Sequence, residues 1–220
     1  MKRLAFLLTT ALVASAAPAL AQPYGPPSAA PAAAPPPPIR VRGTIQSVNG
    51  DVLTLQPATV NGAPATGAVK VTLDPAATVA ITKKANFADI TTASFVGATT
   101  LVQNGQDVAT EVHIFPGGAP NLSSGPWDSK PQSTMTNAKV SDIGSASVAG
   151  VQNRTLTLTY PGGEKKVVVP PSAAIVTAAP GTRADLVKGV KVFIPRAASA
   201  GDGYKAPGLQ VGKDGVDPPQ

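Results

Sequence analysis

The sequence predicts an all-β protein made of two tandem, small Greek-key β-barrels, each with at most one short helix. Three observations lead there. A stretch is used twice, as Val69–Ile81 (VKVTLDPAATVAI) and as Lys166–Thr177 (KVVVPPSAAIVT). Each copy has an apolar run, a proline corner, a few small residues and a second β-branched run. Aligning Pro75 with Pro171 sets Val71, Leu73 and Val79 opposite Val167, Val169 and Ile175. The chain is also rich in Ala, Val, Thr, Gly and Pro, with 14% charged and 4% aromatic residues, a composition that suits short strands and turns. Finally, Asn49-Gly50 and Asn104-Gly105 sit between alternating runs, the strongest short-range hairpin signal.

Residues 1–21 read as a cleaved secretory signal peptide. Lys2 and Arg3 make the positive start, Leu4–Val13 is an apolar run too short to span a bilayer as a helix, and Ala19-Leu20-Ala21 is a small-residue cleavage site. The expected location is therefore periplasmic or secreted. Losing Lys2 and Arg3 lowers the formal charge from +6 to +4, a mild excess that favours anionic surfaces without demanding a nucleic-acid partner. The chain has no cysteine, which excludes disulfides and a cysteine-linked lipid anchor. No later apolar run approaches the length of a transmembrane helix.

Residues 22–38 form a Pro/Ala-rich tether ending in Pro35–Pro38, an extended polyproline run. It reads as a semi-rigid spacer in preference to a docking motif for a proline-binding partner. The first module is expected over 39–115. Arg42–Val48 and Asp51–Gln56 pair across Asn49-Gly50, Pro57–Ala68 is a polar loop, and Val69–Ile81 gives two short strands broken near Asp74-Pro75. One helical turn is expected around Phe87–Ile90. Ala98–Gln103 and Asp107–Phe115 close the module across Asn104-Gly105.

Residues 116–136 are the linker between modules, with the one tryptophan, Trp127, expected to anchor it onto a domain. The second module, 137–211, repeats the plan. Lys139–Val148 pairs with Arg154–Tyr160, Lys165–Val169 leads to the Pro170-Pro171 corner, and Ala174–Thr177 follows. Ala184–Lys188 gives a helical turn stopped by Gly189, a role that Gly97 is expected to share in the first module. Val190–Ile194 and Lys205–Val211 close the module, and 212–220 is a frayed tail. Five or six short strands with one small helix after the third or fourth match a small OB-like barrel.

The runs Gly43–Leu55 (GTIQSVNGDVLTL), Val69–Val79 and Asp185–Val192 resemble secreted bacterial β-barrel domains of unknown function. Some sequences of that kind carry the name metal transporter permease, a role that the lack of a spanning segment argues against. The resemblance implies a fold and no functional residues.

For chemistry the chain offers one histidine, in the pair Glu111 and His113 on one face of a strand. Two readings stand: half of a metal or acid–base site, or two solvated residues on an exposed barrel face. The second is favoured, because a structural zinc site takes about four His or Cys ligands. No phosphate loop, nucleophile elbow or calcium loop is present, so no cofactor and no enzymatic activity are expected. The short basic clusters Arg40/Arg42, Lys83-Lys84 and Lys165-Lys166 lack the aromatic platforms of single-strand nucleic-acid binders. The function expected is a non-enzymatic binding or scaffold module of the cell envelope, its partner an envelope protein, a glycan or an anionic surface. The alternative is a periplasmic small-ligand or metal-handling protein using Glu111 and His113.

Overall fold

The structure, a computed structural model, describes residues 37–119, 121–148 and 150–218. The expected signal peptide and most of the tether lie outside the described residues. The described chain is all β apart from two short 3-10 turns. None of its helices is long and apolar enough to cross a membrane.

β1 (Ile39–Asn49) and β2 (Val52–Val60) form the expected first hairpin. Val41, Ile45, Leu53 and Leu55 turn to one side and are fully buried. Gly43 is needed between them, because a Cβ there would lie 2.9 Å from the Pro57 carbonyl oxygen. The turn itself is shifted from expectation: Asn49 stays in the strand and Gly50 takes the left-handed position, φ 58°. At Asn104-Gly105 both residues have positive φ, 51° and 74°, as an Asn-Gly hairpin turn requires. The expected loop over Pro57–Ala68 is partly strand. β2 continues to Val60, turns at Asn61-Gly62 (φ 48° and 81°) and pairs with β3 (Ala63–Pro64). Pro64 fits there because β3 is the last strand of the sheet, where a missing donor costs nothing.

The two proline corners behave differently. β4 (Val69–Lys84) runs through Pro75 as one 16-residue strand, and the corner survives only as a register shift between Leu73 and Thr78 in its pairing with β13. The second copy does break, into β10 (Gly163–Val169) and β11 (Ala174–Pro180). Pro170-Pro171 removes two adjacent backbone donors where Asp74-Pro75 removes one. The remaining strands are β5 (Phe95–Gln103), β6 (Gln106–Phe115), β7 (Ser123–Pro126), β8 (Thr134–Val148), β9 (Val151–Tyr160), β12 (Lys191–Ala200) and β13 (Gly203–Gly212). β7 lies inside the expected linker and pairs with β8. The two 3-10 turns, Phe87–Asp89 and Arg183–Asp185, are built alike. The Asn86 amide donates to Asp89 Oδ2 at 2.8 Å, and the Thr182 amide to Asp185 Oδ2 at 2.9 Å. Neither glycine is the expected stop: the second 3-10 turn ends at the Leu186 cap, so Gly189, with a positive φ of 89°, belongs to a separate turn, and Gly97 lies buried inside β5. A Cβ on Gly97 would meet Asn137 Oδ1 at 2.8 Å and the Phe115 ring at 3.1 Å, so close packing explains this glycine.

Pairing joins the strands into one sheet in the order β10-β9-β8-β5-β6-β11-β4-β13-β12-β1-β2-β3, with β7 attached beside this path to β8. Two further pairings close it on itself. β2 with β4 completes a five-stranded barrel of β1, β2, β4, β13 and β12. β10 with β6 completes a second circuit of β8, β9, β10, β6 and β5. Each circuit has its own apolar core. Val71, Leu73 and Val79 belong to the first, and Val167 and Val169 to the second, with Ile175 packed against it.

The circuits are not successive in sequence, as a tandem arrangement requires. The hairpin β5–β6 follows β1, β2 and β4 but closes on β8, β9 and β10. The hairpin β12–β13 follows β8 to β11 but closes on β1, β2 and β4. The 3-10 turns travel with the hairpins: Ile90 and Phe87 pack in the second core, Leu186 in the first. The crossing point is the pair β4–β11, where Ala80–Lys84 runs antiparallel to Val176–Pro180.

The segment after β13 is held where a frayed tail was expected. Lys213 bridges Val216, Asp217 Oδ2 accepts from Lys191 Nζ at 2.7 Å, and Pro218 is buried.

Candidate functional site

Glu111 and His113 lie on β6, flanked by Thr99 and Gly97 of β5 and by Ala174 and Val176 of β11. Their face is not the solvated barrel face expected. His113 is 3% exposed and Glu111 6%. A barrel face is solvated only when nothing packs outside it, and here the sheet continues into the first circuit. The charge of Glu111 reaches the Arg42 guanidinium on β1. The His113 ring lies 4.6 Å from that of Phe115, and its Nε2 has no hydrogen-bond partner. Burial lowers its pKa to about 4, so the imidazole is neutral near pH 7. Among the described residues no group of three or more His, Cys, Asp or Glu is placed to hold a metal ion.

Beside this layer the linker is pinned to the first barrel. Trp127 packs edge-on to Phe193 at 6.1 Å, and the guanidinium carbons of Arg40 and Arg42 stand 4.8 and 5.3 Å from its ring. Arg40 Nε and Arg42 Nη1 each donate to Asp128 at 2.9 Å. Burial works to raise the Asp128 carboxyl pKa, but the hydrogen bonds and charges of the two arginines outweigh it and hold it below the usual carboxylate value. Burial in turn draws Arg42 below its ordinary value, against the pull of Asp128. Trp127 is thus the expected anchor, and Phe193 is buried on the outside of its barrel beneath it.

The open surface lies elsewhere, around the Pro170-Pro171 corner. A groove of about 850 Å³ runs on one side, lined by Lys84, Phe87, Gln152, Asn153 and Arg154. A second of about 610 Å³ runs on the other, lined by Gln103, Asn104, Lys130 and Val151. They share Asn153, Pro170 and Pro171 and so adjoin along that corner as a two-sided cleft. The Arg154 guanidinium stands 5.4 Å from the centre of the Phe87 ring, which positions it without neutralising it. Asn153 is buried, and its Nδ2 donates to the Val151 carbonyl at 2.8 Å, fixing the floor. Among the described residues no carboxylate lines either groove.

Comparison with protein-family models, with curated proteins and with solved structures finds no match for this chain.

The cleft owes its position to the long strand β4. Its end delivers Lys84 to the second circuit, where the following 3-10 turn supplies Phe87. The basic pairs noted in the sequence separate in the fold: Lys84 lines the cleft, whereas Lys165 Nζ is tied to Asp107 at 3.2 Å. Arg154 and Asn153 carried no sequence signal, being two residues of a polar strand start beside a turn. An apolar lining with cations and amides along it suits binding: it offers contact area, charge and hydrogen bonds to one extended ligand.

Proposed function

We propose that this chain is an exported, non-enzymatic binding module of the cell envelope, built as two OB-like barrels that exchange their closing hairpins, with the cleft around Pro170-Pro171 as its binding face. The observation that carries the reading is the cleft itself: two joined grooves with Lys84, Arg154 and Lys130 and no lining carboxylate. The OB-like reading is supported by strand order. Each circuit runs first, second, third, fifth, fourth strand, with the third and fifth parallel, as in β10 with β6 and β13 with β4. In OB-like barrels the face of the second and third strands and the loops after the first and fourth strands serve as the ligand face. In the second circuit these are β9, β10 and the turns near Gly150 and Asn104, which border the cleft. Export rests on the signal-like residues 1–21.

The test is thermal unfolding against a panel of acidic and neutral glycans, anionic lipid headgroups, a polyanion and divalent metals. A ligand of the native state raises the melting temperature by mass action. The expected result is a shift from an anionic ligand that shrinks in the double variant Lys84→Gln, Arg154→Gln. Shifts that all survive in that variant would put the binding face elsewhere.

A further inference from the structure

The chemistry of the cleft narrows its ligand, given the reading above. We infer that it takes an acidic polysaccharide, a chain of sugar rings carrying carboxylate groups.

Charge is the first argument. Lys70, Lys165, Arg183, Lys191, Lys205 and Lys213 are each ion-paired with an aspartate. Lys84, Lys130 and Arg154 line the cleft and have no ion pair among the described residues. Three unneutralised cations along a concave, partly apolar surface attract an anionic chain, and low-dielectric walls strengthen the attraction. Carboxylates line two adjoining depressions: Glu111 and Asp217 in one of about 290 Å³, and Asp185, Asp214 and Asp217 in one of about 380 Å³. Asp217 is paired with Lys191 and Asp185 with Lys213, and the charge of Glu111 also reaches Arg42, so the groove that holds Lys84 and Arg154 keeps its positive charge.

The uncharged lining argues for sugars. Asn86, Gln152, Gln103 and Asn104 offer amide donors and acceptors of the kind that pair with ring hydroxyls. Phe87, Pro170 and Pro171 offer flat apolar surface for the carbon face of a sugar ring. Other anionic partners fit less well. An extended acidic peptide gains its affinity by adding to a free strand edge. Here β9, β10 and β11 are each paired on both edges, and the corner between β10 and β11 is two prolines without N–H groups. Single-stranded nucleic acid needs a series of stacking aromatics, and Phe87 is the one aromatic lining the two grooves.

The test is calorimetric titration of the full chain with an oligogalacturonate, its fully methyl-esterified form of equal length, and poly-glutamate, at low and at moderate salt. The expected result is saturable binding of the acidic oligosaccharide. Binding should fall at least tenfold on methyl esterification, be at least tenfold weaker for poly-glutamate, and fall at least tenfold in Arg154→Gln and in Gln152→Glu. Both substituted residues are exposed, so unchanged circular dichroism is expected to verify the fold. Equal binding of the esterified form would overturn the charge argument, and equal binding of poly-glutamate the sugar argument. If the oligogalacturonate fails to bind while another ligand loses affinity in Arg154→Gln, the class is wrong and the cleft still binds. If neither variant changes the binding of any ligand, the cleft reading itself falls.

Discussion

At the scale of single residues, His113 shows what alternation reveals and what it conceals. The sequence places Glu111 and His113 on one face of a strand, and they share it. Alternation distinguishes the core side of a strand from its other side, but it cannot say what covers the other side. The sheet continues there into the first circuit, whose Arg42 the charge of Glu111 reaches, and the imidazole is buried neutral with its pKa lowered to about 4. Unfolding restores an ordinary value near 6.5, so below that value the unfolded state binds the proton that the folded state refuses. The sign follows: this histidine costs stability as pH falls from about 6.5 toward 4, and the cost disappears above that window. At pH 4.5 it amounts to about 2–3 kcal/mol. Denaturant titrations at pH 7.5 and 4.5 should therefore show a smaller acid loss for His113→Phe than for the parent chain, by roughly that amount. Equal losses would mean that His113 takes up its proton without leaving the fold. Asp128, with its lowered pKa, adds acid sensitivity of the same sign in both proteins and cancels in the comparison.

At the scale of elements, most strands are legible because their signals are local. The β5–β6 turn sits where Asn104-Gly105 puts it, and both 3-10 turns fall where small-residue stretches interrupt the alternation. β3 was hidden by Pro57 and Pro64, although Asn61-Gly62 between them is the same hairpin signal as elsewhere. The linker carried one legible feature, Trp127, and its purpose depends on residues distant in sequence: Arg40, Arg42 and Phe193. Removing that ring uncovers Phe193 and takes an aromatic face from two guanidiniums. A buried Trp→Ala change costs about 3–5 kcal/mol; this ring is half-buried, so a loss of about 2–3 kcal/mol is expected for Trp127→Ala. Limited proteolysis should then cut first between Pro116 and Lys130. A loss under about 0.5 kcal/mol with no new cleavage site would show that β7 alone secures the linker.

At the scale of the whole molecule, the exchange of closing hairpins is the feature the sequence could not reveal, because the two halves carry the same pattern. Either hairpin presents alternating Val, Ile or Leu to a barrel that lacks two strands, so local physics accepts both pairings. The choice falls to chain geometry. β4 runs as one strand from the first core to Lys84, beside Ala85 in the second, and so delivers β5 and β6 there. β11 carries the chain back along β4 to the first barrel, where β12 and β13 close it. Neither barrel is complete within either half of the chain, and this has a thermodynamic consequence. A cavity made in one core must weaken the strands that hold the other. Leu53→Ala empties part of the first core and Leu156→Ala part of the second, each at about 2–5 kcal/mol. Trp127 fluorescence reports chiefly on the first barrel, whose Phe193, Arg40 and Arg42 surround the ring, and far-ultraviolet circular dichroism on all strands. In an exchanged fold, Leu156→Ala lowers the midpoint seen by Trp127 as much as the midpoint seen by circular dichroism, and Leu53→Ala does the same. With self-contained barrels, Leu156→Ala would split the dichroism into two steps and leave the Trp127 midpoint in place. Coincident transitions in both variants, with calorimetric and van't Hoff enthalpies equal, would identify one cooperative unit made of two interlocked cores.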